Sequence, residues 1–132
     1  MLRPAPELSL RLADDTTSSF AARRALRHLL GNEANTPFGE AALLGVTELV
    51  NNATMYNQGG CWLSVWQTAD NALRVEVEDV GTELPTLPPV PSPAQLHGRG
   101  LNIVDTIADR WGAMPSRRGK TVWFELDRPP SP

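Results

Sequence analysis

Glu48 and Asn52 stand four residues apart in the run Glu48-Leu49-Val50-Asn51-Asn52-Ala53, late in an apolar-periodic segment that reads as a helix. That spacing puts both side chains on one helix face. A carboxylate can take a proton from a nucleophile, and a neutral amide oxygen can ligate a hard cation. Together they are what a magnesium–nucleotide site requires. The pair also fits an ordinary solvated helix face. Two successive asparagines inside a helix are locally unfavourable, because short polar side chains compete with backbone bonding.

Three later segments add parts of the same kind of site. In Asp79-Val80-Gly81 a carboxylate ends an alternating strand, where it can accept from an exocyclic amine, and the glycine lets a ligand approach the backbone. A plain strand-ending turn has the same residues. Gly98-Arg99-Gly100-Leu101-Asn102 opens a helix after a long loop. Its N–H groups sit at the positive end of the helix, where phosphates bind, and Arg99 adds a charged donor. It is not a Rossmann fingerprint, because the third glycine is absent and a proline-rich loop precedes it. Gly119-Lys120-Thr121 is not a P-loop, because Met114 occupies the required glycine position and a strand follows. Thr121 at a strand start could offer its hydroxyl to a base or to a water beside it. His28 and His97 have no carboxylate or cysteine at ligand spacing, and no serine sits in a nucleophile elbow.

The elements that must position these residues follow from periodicity. Residues 7–12 alternate as a strand. Asp14, Asp15, Thr16 and Thr17 offer caps to a helix running to Leu30, with Phe20, Ala21, Leu26, Leu29 and Leu30 as its apolar face. Gly31-Asn32 stops it. A second helix starts at Thr36-Pro37 and presents Ala41, Leu44, Val46, Leu49, Val50 and Ala53. It ends before Gly59-Gly60. Strands over 62–66 and 73–79 flank an Asp70-Asn71 hairpin turn. Residues 82–97 form a loop with five prolines, long enough to be functional or disordered. A third helix begins at Gly98-Arg99-Gly100, and strands cover 111–114 and 121–126. Trp62, Trp66, Trp111 and Trp123 all fall in strands and read as core. The order βααββ-loop-αββ implies an α+β sandwich.

Bulk properties bound the possibilities. The chain has 132 residues, which sets a prior of one domain. A net charge of −3 gives no support for nucleic acid or an anionic membrane as partner. Cys61 is the only cysteine, so no intrachain disulfide can form, and a reducing compartment fits. The N-terminus lacks a signal-peptide core, and no apolar run approaches membrane-spanning length. The expectation is a cytoplasmic protein.

In order and spacing, the four segments resemble the boxes of bacterial anti-sigma-factor serine/threonine kinases, a branch of the GHKL ATPase superfamily that includes gyrase and the sensor histidine kinases. The likeness spans nearly the whole chain. It implies a two-layer sandwich of the Bergerat ATP-binding type, with a mixed sheet and helices packed on one face. Residues 1–132 would be a single domain, ordered over about 6–127. It further implies ATP and Mg²⁺ as cofactors. Glu48 would be the general base, Asn52 the Mg²⁺ ligand, and Asp79 with Gly81 the adenine box. Residues 82–97 would be the lid, Gly98, Arg99, Gly100 and Leu101 the phosphate-wrapping box, and Thr121 a neighbour of adenine. Tyr56 stands where relatives often carry a basic residue, and Glu83 replaces a second glycine of the adenine box. The implied activity is phosphorylation of a small anti-anti-sigma protein of the STAS type, with a sigma factor as second client and self-association through residues 7–30. A non-catalytic module that captures a regulator under nucleotide control is the alternative. A sensor-kinase fragment is disfavoured, because no phospho-accepting helical hairpin is attached.

Overall fold

The computed structural model describes residues 3–56, 59–81 and 96–130. Along the chain run β1 (Leu8–Leu12), α1 (Ser18–Leu30), a 3₁₀ turn (Gly31–Asn35), α2 (Pro37–Tyr56), β2 (Cys61–Gln67), β3 (Ala72–Asp79), α3 (Leu96–Ile107), β4 (Arg110–Pro115) and β5 (Lys120–Asp127). Local chemistry sets the boundaries. Asp15 Oδ1 accepts from the Thr17 backbone N–H at 2.8 Å just before α1. Thr36 Oγ1 accepts from Gly39 N at 3.1 Å and caps α2, whose first residue is Pro37. After α2, Gly60 has φ +78°, and a Cβ there would meet Leu12 O at 2.2 Å. Only glycine satisfies both constraints.

The five strands order as β1-β2-β3-β5-β4, and all four pairings are antiparallel. The expected mixed sheet is therefore corrected. The connection carrying α3 does return β4 parallel in direction to β3. However, β5 folds back as a hairpin and inserts between them, so no parallel neighbours form. The α+β sandwich itself stands. Leu63, Val65, Val75, Val77 and Phe124 face the helices, against Leu26, Val46, Leu49 and Val50. Gly45 lets α2 approach closely, since a Cβ there would lie 2.7 Å from the Phe124 ring.

Two residues of the expected apolar helix faces are exposed. Phe20 is 68 % exposed and Leu44 is 42 % exposed. In α1 the buried row is Ser18, Ala22, Leu26 and Leu30, a strict four-residue repeat that turns Phe20 outward. In α2 the buried residues include Ala42 and Leu43, and Leu44 points away from them.

The tryptophans need a second correction. Trp111 packs against the core, but Trp62, Trp66 and Trp123 alternate with inward residues and lie on the sheet face away from the helices. Arginines cover that face. Arg3 stacks on Trp66 at 3.9 Å, Arg74 on Trp123 at 4.1 Å and Arg118 on Trp62 at 4.3 Å. Glutamates link the arginines into a chain. Glu76 binds Arg3 and Arg74, Glu125 binds Arg74 and Arg110, and Arg110 reaches Asp127.

Burial raises the carboxyl pKa values of Glu76 and Glu125, but hydrogen bonds and charge from their arginines outweigh it and leave both below the ordinary value. A depressed native pKa contributes stability that is present above the unfolded value of about 4.3 and is lost as pH falls through the native one. The melting temperature is therefore expected to fall steeply below about pH 4.3. Glu76→Gln should lower it at neutral pH and flatten the acid limb. An acid limb identical in wild type and variant would contradict this role.

Candidate functional site

Topology brings the sequence-derived residues to one end of the sheet. The C-terminal half of α2 carries Glu48 and Asn52 and leads through Gly59-Gly60 into Cys61, which pairs directly with Asp79. α3 runs back over the sheet, and a two-residue link joins it to β4. The first residue of β4, Arg110, pairs with Glu125 at the opposite end from Asp79. The N-terminal end of α3, with Gly98 in its first turn and Gly100 at the start of its second, therefore points toward the Asp79 end.

At the end of β3, Asp79 is 2 % exposed. Its Oδ1 accepts from Gly81 N at 2.8 Å and from Lys120 Nζ at 3.0 Å. Gly119 seals this wall, since a Cβ on it would sit 2.5 Å from Asp79 O and 2.7 Å from Gly81 O. Cys61 is fully buried beside it. Burial, then the charges of Asp79 and Asp14, push its thiol up to about 12, which makes it an inert packing group.

The residue opposite Asp79 is Lys120, not Thr121. Thr121 pairs with Glu78 and Met114, so it projects to the tryptophan-bearing face, where its hydroxyl donates to Ser116 Oγ at 3.0 Å. The sequence reading missed Lys120 because it began the strand one residue late. In a strand, one residue exchanges the two faces.

On α2, Glu48 and Asn52 are both half-buried, and neither makes a side-chain hydrogen bond among the described residues. The neighbouring hydroxyls are satisfied within the helix, Thr47 by Leu43 O at 2.7 Å and Thr54 by Val50 O at 2.9 Å. Burial raises the Glu48 carboxyl above its ordinary pKa, which makes it a stronger proton acceptor once ionised. The third helix starts two residues earlier than expected, at Leu96, so Gly98, Arg99 and Gly100 belong to its opening turns. Leu101 is 3 % exposed and is a core residue. The Tyr56 side chain and residues 82–95, with Glu83 and nearly all of the expected lid, lie outside the described residues. His97 and Leu96, the other end of that expected lid, are helical.

The donor set suits a magnesium–nucleoside triphosphate. The carboxylate of Glu48 and the amide of Asn52 are of the type that such a ligand's metal and phosphates need, N–H groups at a helix start are of the type that binds anions, and Asp79 is a buried strand-end carboxylate.

Comparison with known proteins identifies the family and the fold. Residues 40–130, more than half of the chain, match the family model described as "Histidine kinase-, DNA gyrase B-, and HSP90-like ATPase". Among curated proteins no sequence matches significantly. Solved structures share the fold. The RsbU and RsbW domains of Rv1364c from Mycobacterium tuberculosis superpose with a TM-score of 0.71 at 19% identity, over 96% of this chain and 34% of that one. This chain thus spans about a third of the length of that solved chain. The SiaB–SiaC complex from Pseudomonas aeruginosa gives 0.67 at 13% identity, over 92% and 88%. The blue-light activated histidine kinase EL346 of Erythrobacter litoralis gives 0.51 at 19% identity, over 81% and 39%.

Proposed function

The chain belongs to the histidine kinase-, DNA gyrase B- and HSP90-like ATPases, and from that premise we propose that it is an anti-sigma-factor serine kinase acting in a partner switch that controls transcription. Such chemistry is mostly positioning and electrostatics, so few residues are needed. Asp79, with Gly81, holds the base. The N–H groups of the first turn of α3, with Arg99, hold the phosphates. Asn52 would hold magnesium through its amide oxygen, and the ion when bound neutralises phosphate charge. Glu48 orients the serine hydroxyl of the protein substrate and takes its proton as the oxygen is phosphorylated.

The observation that carries this reading is the state of Glu48 and Asn52. Both are half-buried on one helix face and make no side-chain hydrogen bond among the described residues, at the end of the sheet where Asp79 closes the wall. The small partner would be a STAS-type anti-anti-sigma protein, and the second client a sigma factor. Structural likeness to the RsbW domain of Rv1364c and to the SiaB–SiaC complex supports a partner-switching role. We place the activity in the cytoplasm, where ATP is available; among the described residues no helix is long and apolar enough to cross a membrane. Self-association would use the groove between β1 and α1, lined by Leu8, Phe20, Ala21 and Arg24.

Incubation with Mg-ATP and a STAS-type partner is expected to yield phosphoserine on the partner, and chelation of magnesium to abolish it. Normal ATP binding with no phosphoserine would reject the kinase and leave a nucleotide-controlled binding module.

A further inference from the structure

Lys120 and Asp79 are a directly opposed cross-strand pair, with Nζ and Oδ1 3.0 Å apart. Their side chains are only 10% and 3% exposed. Desolvating two charges is costly, and the pair persists because each neutralises the other. Asp79 is also fixed by the Gly81 N–H, and Gly119 closes the backbone behind it. The base wall is therefore not a bare carboxylate. It carries an acceptor and, beside it, an ammonium with three donors on a flexible stem.

That changes what the wall can read. A 6-aminopurine presents a donor, its amine, next to an acceptor, the ring nitrogen N1. A 6-oxopurine presents the reverse, an acceptor O6 next to a donor N1–H. A lone carboxylate only accepts, so it suits the amine and repels O6. A carboxylate with an ammonium alongside complements either edge, because the long lysine stem can follow the acceptor to position 6 or to position 1. We propose that Lys120 is a specificity-determining residue of the base site and extends it from adenine to 6-oxopurine nucleotides. This inference rests on the nucleotide-binding reading given above.

The test is the dissociation constants of ATP, GTP and ITP, each with Mg²⁺, for the full chain. The wild type should bind GTP and ITP within about tenfold of ATP, the range of a hydrogen bond exchanged for another of similar strength. Lys120→Met keeps the stem and removes the donors. It should weaken GTP and ITP by roughly 10- to 100-fold more than ATP, because O6 is then left facing the carboxylate with no donor between them, whereas the adenine amine still donates to Asp79. Wild-type GTP binding more than 100-fold weaker than ATP would overturn the proposal. So would a Lys120→Met variant with an unchanged ATP-to-GTP ratio, or one that only gains ATP affinity. The wild-type comparison needs no variant and decides the matter even if Lys120→Met does not fold. Failure of ATP itself to bind would sink the nucleotide reading instead, a different outcome from ATP binding alone.

Discussion

Glu48→Gln is expected to lower phosphotransfer to the protein substrate by roughly 10²- to 10⁴-fold, the usual contribution of a positioned general base. Glutamine matches glutamate in shape and can still hydrogen-bond a hydroxyl, but it cannot take the proton. Glu48 makes no side-chain hydrogen bond among the described residues, so the replacement orphans no partner there. Burial also raises the pKa of the native carboxyl, so neutralising it relieves a desolvation cost. Stability should hold or rise slightly, and ATP and partner affinities should stay near wild type. Single-turnover phosphotransfer with titrated partner separates these effects. A kinase loses transfer and keeps binding, whereas a binding-only module is indifferent. Phosphoserine forming at the wild-type rate would remove Glu48 from the mechanism.

Phe124→Ala should cost about 3–5 kcal/mol, the range for deleting a buried phenylalanine. Phe124 heads the fully buried side chains, and Gly45 of α2 lies against its ring. Its removal leaves a cavity under the middle of the helix that carries Glu48 and Asn52. Because domain stabilities run to only about 5–15 kcal/mol, the midpoint of urea unfolding should drop sharply. Nucleotide affinity should fall with it even where the variant remains folded, because α2 is no longer held at one height above the sheet. A shift in midpoint below about 1 kcal/mol would mean that α2 settles into the space freely.

Most of the architecture could be read from local pattern. Alternation in residues 7–12 and 73–79, the Thr36-Pro37 start and the Gly59-Gly60 stop each encode their element within a few residues, and each is found in the structure. What escaped was information held between strands. Nothing local in 121–126 says that this strand inserts between β3 and β4, so the sheet's all-antiparallel character was hidden. Nothing local distinguishes Trp111, which faces the helices, from Trp123, which faces arginine. The same holds at the site. Glu48, Asn52 and Asp79 stand out only as part of four segments in order, because each alone also fits an ordinary helix face or turn. Lys120 was passed over because its meaning depends on its cross-strand partner 41 positions away.

The sheet order also has a consequence for how the chain is made. β5 ends at Asp127, yet it is hydrogen-bonded on both edges, to β3 and to β4. A nascent polypeptide leaving the ribosome can zip β1, β2 and β3 together, but it holds an open seam until its last strand emerges. Both Phe124 and the ammonium that neutralises Asp79 arrive with that strand. This sheet therefore cannot close until β5 has emerged, and until then Asp79 lacks the counter-charge of Lys120.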